Sequence, residues 1–168
     1  MKKTGFLTAF IPIIILLTGC GIYSFSGASL DPNDKTVTVK FFPNRADLVN
    51  PNLSQLFTEQ LKDRFVGQTG LELVDFNGDL MFEGEIVRYF TEPVAVTSDE
   101  TAQYNKLTIE VRVKYTSINK PEFDFDTKFS RFAEYESNKL LTDVEDDLTE
   151  EIVQELIDDI FNKSVVNW

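Results

Sequence analysis

The chain has 168 residues, with 28 acidic against 16 basic side chains, a net charge of −12, one cysteine and no histidine. That balance excludes nucleic acid as a partner and a general attraction to anionic lipid surfaces, since both require clustered positive charge. Without histidine there is no Ser-His-Asp or Cys-His nucleophile pair and no His-ligated zinc or haem; carboxylates, lysine, tyrosine or Ser-Lys pairs remain for catalysis, and no motif for them is present.

At the N-terminus Lys2 and Lys3 precede an apolar run from Phe6 to Leu17, interrupted by Pro12. The run is too short for an ordinary spanning helix, which needs about 20 residues. A basic start, a short apolar core and a small residue at the break describe a secretory signal peptide. Leu17-Thr18-Gly19-Cys20 at its end resembles the lipobox of bacterial lipoproteins. That resemblance implies cleavage between Gly19 and Cys20, with a diacylglycerol on the Cys20 thiol and an acyl chain on the new N-terminus; no other cofactor is expected. Three acyl chains, at about 0.8 kcal/mol per buried CH₂, anchor stably where one is marginal. Cys20 has no partner for an internal disulfide, so lipidation gives it a role. Removing 1–19 leaves 149 residues with net charge −14, which suits a lipidated tether (20–35) and a single domain (36–168).

In the tether, Asp31-Pro32-Asn33-Asp34 reads as a turn; it lacks the glycine and distal glutamate of an EF-hand loop. Thr36 to Phe41 alternates, with Val37, Val39 and Phe41 on one face, the period of a half-buried strand. Asn50-Pro51 then reads as a cap and first helical residue. Leu53, Leu56, Phe57, Leu61 and Phe65 follow at helical spacing, and Gly67 or Gly70 ends the helix. Leu71 to Phe76 is a short strand and Asn77-Gly78 a tight turn. From Leu80, a strand sets Leu80, Phe82, Ile86 and Phe90 against Met81, Glu83, Glu85 and Val87, and stops at Pro93; Val94 to Tyr104 is a polar loop.

Lys106 to Thr116 is the cleanest strand, with Leu107, Ile109, Val111, Val113 and Tyr115 inward. Phe123, Phe125 and Phe129 start a last strand, to about Phe132, that pairs at a sheet edge or curls away. In the final helix, Thr142-x-x-Glu145 reads as a capping box, with Asp143, Asp146 and Asp147 at the positive end of the helix dipole. Val144, Leu148, Ile152, Val153, Leu156, Ile157, Ile160 and Phe161 form its apolar stripe, and its acids follow a solvated face, not a converging metal site. Two amphipathic helices and strands with one apolar face define an α+β two-layer sandwich: a four- to five-stranded, mostly antiparallel sheet with both helices on one face.

The run Gly19-Cys20-Gly21-Ile22-Tyr23-Ser24-Phe25-Ser26-Gly27, with Phe41-Phe42-Pro43-Asn44-Arg45-Ala46, Asn50-Pro51-Asn52-Leu53-Ser54-Gln55 and the end from Asp159 to Trp168, resembles the LptE family of lipopolysaccharide-assembly lipoproteins. The likeness covers essentially the whole precursor; only the lipobox is a sharp motif. It implies a non-enzymatic lipoprotein anchored in the inner leaflet of the outer membrane and facing the periplasm. It further implies a plug inside the large β-barrel LptD, assisting barrel assembly and lipopolysaccharide delivery. Gly21 after the cysteine fits outer-membrane sorting.

Arg112, Lys114 and Lys128 fall on outward strand positions, as a small basic area for lipid A phosphates or the barrel wall; the plain alternative is a solvated sheet face. Arg45 and Arg88 are further candidate contacts. An acidic domain is an awkward binder of an anionic glycolipid, which favours barrel scaffolding over direct carriage of lipopolysaccharide. Two other readings stand beside this one: an auxiliary lipoprotein of another envelope lipid-transport complex, and a hydrolase using paired carboxylates. The hydrolase fares worst, because the acids sit on outward faces.

Overall fold

A computed structural model describes residues 30–48, 50–94 and 103–165. The expected signal segment 1–19, residues 20–29 of the expected tether, residues 95–102 of the expected polar loop and the terminal 166–168 lie outside the described residues. In chain order the elements are β1 (Thr36–Val39), α1 (Leu53–Thr69), β2 (Glu72–Leu73), β3 (Leu80–Pro93), β4 (Tyr104–Ser117), β5 (Phe125–Glu136) and α2 (Leu141–Val165). One 3₁₀ turn, Pro121–Phe123, precedes β5. The sheet order is β2-β1-β3-β4-β5. Parallel neighbours need a long crossover, and α1 supplies it between β1 and β2, which both run parallel, as do β1 and β3. β3, β4 and β5 form an antiparallel meander. The fold is therefore α+β, with a mostly antiparallel five-stranded sheet and two helices over one face.

Helical spacing on α1 and α2 meets strand alternation on the sheet, and the two periods converge on one core. Leu53, Phe57, Leu61 and Phe65 of α1 are buried, as are Leu148, Ile152, Val153, Leu156, Ile157, Ile160 and Phe161 of α2. They cover Leu80, Phe82 and Ile86 of β3 and Leu107 to Tyr115 at alternate positions of β4. Phe65 stands at the centre, 4.4 Å from the Phe82 ring and 5.2 Å from Phe161, in tilted geometries that aromatic quadrupoles favour. Fully burying such a side chain contributes roughly 1.5–3 kcal/mol. Gly70 ends α1 at φ 71°, a left-handed conformation that glycine adopts without strain.

The departures from the expected elements have local causes. β1 stops at Val39, so Phe41 turns outward at 61% exposure and Phe42 becomes the buried ring, 5.0 Å from Phe57. Its backbone N–H donates to Thr58 Oγ1 at 3.1 Å, so a helix side chain replaces the next sheet bond. In β3 the register slips between Ile86 and Arg88. One extra residue reverses the side-chain phase, which puts Tyr89 in the core and takes Phe90 out of it, against the expected alternation. β2 is only two residues, shorter than the expected strand from Leu71 to Phe76.

β5 begins at Phe125, because Phe123 belongs to the 3₁₀ turn, and it runs four residues past Phe132. Asn50 does not cap α1 directly: its Oδ1 accepts from the Asn52 N–H at 3.0 Å and its carbonyl from Leu53 N–H at 3.3 Å, forming a turn ahead of the helix. The expected capping box does not form either, since α2 starts at Leu141 and Thr142 is already inside its first turn. Glu145 instead accepts the Tyr89 hydroxyl at 2.6 Å and the Asn50 amide at 3.2 Å, joining α2 to β3 and to the start of α1. Burial, with the Glu145 carboxylate beside it, pushes the Tyr89 hydroxyl up to about 12.

Candidate functional site

Among the described residues, the second face of β3, β4 and β5 carries no helix. Register sets its side chains in rows across the three strands: Glu92–Lys106–Glu134, Phe90–Thr108–Phe132, Arg88–Glu110–Ser130, Glu85–Arg112–Lys128 and Glu83–Lys114–Asp126. Neighbours within a row and on the diagonal are close enough to pair. Lys106 meets Glu92 at 3.0 Å, Lys128 meets Glu110 at 2.9 Å, and Lys114 meets Glu83 at 2.8 Å. Lys40, from the end of β1, takes the other Glu83 oxygen at 2.7 Å. Arg112 forks onto Asp126 through two bonds of 2.8 and 2.7 Å, the planar geometry that guanidinium and carboxylate share.

Hydrogen bonds from Lys114 and Lys40 hold the Glu83 carboxyl below the usual carboxylate range, and Arg112 does the same to Asp126. The reciprocal effect raises Arg112 and Lys114. Exposed pairs of this kind add little stability; they fix a pattern of charge. Between Lys40, Phe41, Glu85, Arg112 and Lys114 lies an open hollow of about 400 Å³. Towards the other end, Phe90 and Phe132 flank Thr108, with the Arg88 guanidinium 4.5 Å from one ring and the Lys106 ammonium 5.2 Å from the other.

Arg112, Lys114 and Lys128 thus share one face, and each is matched by an acid. Arg88 joins them one row away and stacks on Phe90, with no ion pair among the described residues. Arg45 sits in the loop after β1, its backbone N–H bonded to the Ile86 carbonyl at 2.8 Å and its side chain exposed. Gly19 and Cys20 lie outside the described residues. The acids that hold these cations (Glu83, Glu110, Asp126) and the added cation Lys40 are legible as outward residues of strands, but their pairing requires the register.

Asp79 carried no signal in the sequence beyond its place after Asn77-Gly78. It accepts the Lys35 and Thr36 backbone N–H groups at 2.9 Å each and the Thr36 hydroxyl at 2.8 Å, where the chain enters the sheet. Those bonds, led by that from Lys35, hold its carboxyl below the usual range. Among the described residues no group of three or more metal-ligating side chains occurs, and no helix is long and apolar enough to cross a membrane.

These features define a small α+β sandwich with one covered and one open sheet face. A minor lipoprotein from Acinetobacter baumannii has a similar structure at 12% identity and TM-score 0.51, over 77% of this chain and 91% of that one. A protein from Xanthomonas campestris matches at 8% identity and TM-score 0.50, over 80% and 87%. At these identities the likeness concerns the fold. A search of curated protein sequences returns no match. The family model LptE, described as lipopolysaccharide-assembly, matches residues 35–164. The chain belongs to the LptE family, and with it to a non-enzymatic group of proteins that act in lipopolysaccharide assembly.

Proposed function

We propose that the chain is an outer-membrane lipoprotein that plugs and helps assemble an LptD-like β-barrel through which lipopolysaccharide reaches the outer leaflet. In this reading residues 1–19 are the signal, Cys20 carries the lipid, residues 20–35 form the tether, and the domain (36–168) faces the periplasm. The observation that carries it is the family match, which spans nearly the whole folded domain, residues 35–164. The open face adds physical support. Large barrels have polar interiors, and a sheet face of matched charges enters such a space with few buried, unpaired groups.

The mixed charge of that face also favours scaffolding over carriage of an anionic lipid, because Arg112, Lys114 and Lys128 already hold Asp126, Glu83 and Glu110. Isolating a tagged chain from outer membranes should recover a large β-barrel, and depletion should lower both barrel level and surface lipopolysaccharide. If depletion leaves both intact, the plug reading fails. Cys20→Ala should release a folded domain from the membrane; protein still processed and bound would remove the anchor from the proposal.

A further inference from the structure

β5 is the last strand of the sheet, 12 residues long, and its pairing with β4 runs without a register shift. The Ser137 N–H donates to the Gln103 carbonyl at 2.9 Å, which fixes the hydrogen-bonding phase of the pair. Odd-numbered residues from Thr127 to Tyr135 therefore bond to β4. The backbone N–H groups of Asp126, Lys128, Ser130, Phe132, Glu134 and Glu136 point the other way, to an open edge, as do their carbonyls except that of Glu136, which accepts the Lys139 N–H at 3.0 Å; all six residues are exposed. A long, flat edge of this kind is a template for another strand. Proline, a bulge or a covering loop would blunt it, and β5 contains neither of the first two.

Charge along the edge selects the occupant. On the open face Glu134 and Glu136 have no ion pair among the described residues. On the helix side Arg131 meets two acids of α2, Asp159 at 2.6 Å and Glu155 at 3.9 Å. The unpaired charge beside an added strand is thus acidic, at Glu134 and Glu136 on the open face, while on the helix side Arg131 is already held by Asp159. A second copy in that place would protect the same edge amides before any peptide is added.

We propose that the β5 edge binds an extended, basic segment of a partner protein as a sixth strand, with main-chain bonds providing affinity and the flanking acids selecting lysine or arginine. The surface is the sheet edge, separate from the plug reading, and it stands or falls without it.

The test uses the full chain in detergent micelles and two seven-residue peptides, Lys-Val-Lys-Val-Thr-Val-Lys and its counterpart with glutamate in place of lysine. Residue-resolved amide exchange should show new protection at the six edge amides on adding the basic peptide. The basic peptide should bind about tenfold or more tightly than the acidic one. Ser130→Pro removes an edge donor while leaving the bonds to β4, a position where proline is tolerated; it should abolish binding. Protection at the odd-numbered amides checks its fold. Reversing the edge with Glu134→Lys and Glu136→Lys should weaken the basic peptide and favour the acidic one. Equal binding of the two peptides, binding without protection at the edge amides, or no binding of either would overturn the proposal.

Discussion

The three long strands present two faces built on opposite terms. On one, Leu80, Phe82, Ile86, Ile109, Val111 and Val113 are wholly buried beneath the helices. On the other, Glu83, Glu110, Arg112 and Lys114, each one position along from a buried residue, pair with charged partners across the strands. The covered face contributes the stability; the open face contributes a pattern, and little energy is lost if that pattern is rewritten. On the proposed reading, the face that meets the barrel is one that does not hold the domain together.

That division sets a scale of expected effects. Phe82→Ala removes a ring packed between Phe65 and Tyr115 and should cost roughly 3–5 kcal/mol in a urea titration. A loss near that of a surface substitution would show that the core closes around the gap. Next comes Gly84→Ala: a Cβ there would overlap the Arg112 carbonyl oxygen and come within 2.7 Å of Phe42 Cε1, on backbone that cannot yield. Overpacking of this kind costs about 1–3 kcal/mol, and a thermal midpoint equal to that of the parent would disprove the close approach of β3 and β4.

Asp79→Asn should cost about 1–2 kcal/mol by weakening charge-assisted bonds to Lys35 and Thr36. Because the folded state holds the Asp79 carboxyl below its ordinary 3.8, its contribution is present above that pH and is lost as pH falls through the folded value. The variant should therefore show a flatter decline of stability below about pH 4; the same acid slope in both proteins would count against the assignment. Smallest is the double change Arg112→Ala with Asp126→Ala, which should leave the urea midpoint unchanged within error. If it unfolds the domain, the open face is structural and the contrast between the faces is lost.

The contrast was legible in the sequence where the periods are unbroken. Alternation from Lys106 to Thr116 and the stripe from Val144 to Phe161 are dictated by burial on one side, and the structure places both as expected. Periodicity carries no mark of a slip in phase and so points Phe90 inward; only the bulge at Val87 turns Tyr89 there instead. Phe41 and Phe42 were exchanged for a similar reason, because the backbone leaves the sheet at Val39 to reach Thr58. At Glu145 the local pattern points to a capping box, whereas its hydroxyl partner, Tyr89, stands 56 positions away along the chain. The cations of the open face were legible one by one; which acid each would hold depends on the register between strands, and no local pattern encodes that.

Asp79 has a mechanical consequence. The N-terminal segment enters the sheet through Lys35 and Thr36, both held by that one carboxylate, while the Lys35 carbonyl takes the Glu72 N–H at 2.9 Å from the other side. β1 lies between two parallel neighbours. In the proposed lipid-anchored protein, tension on this N-terminal segment would pull β1 lengthwise between β2 and β3, straining bonds on both flanks together instead of opening them one at a time. The domain would meet a load from that direction as a shear joint, with the hydrogen bonds on both flanks of β1 loaded in parallel.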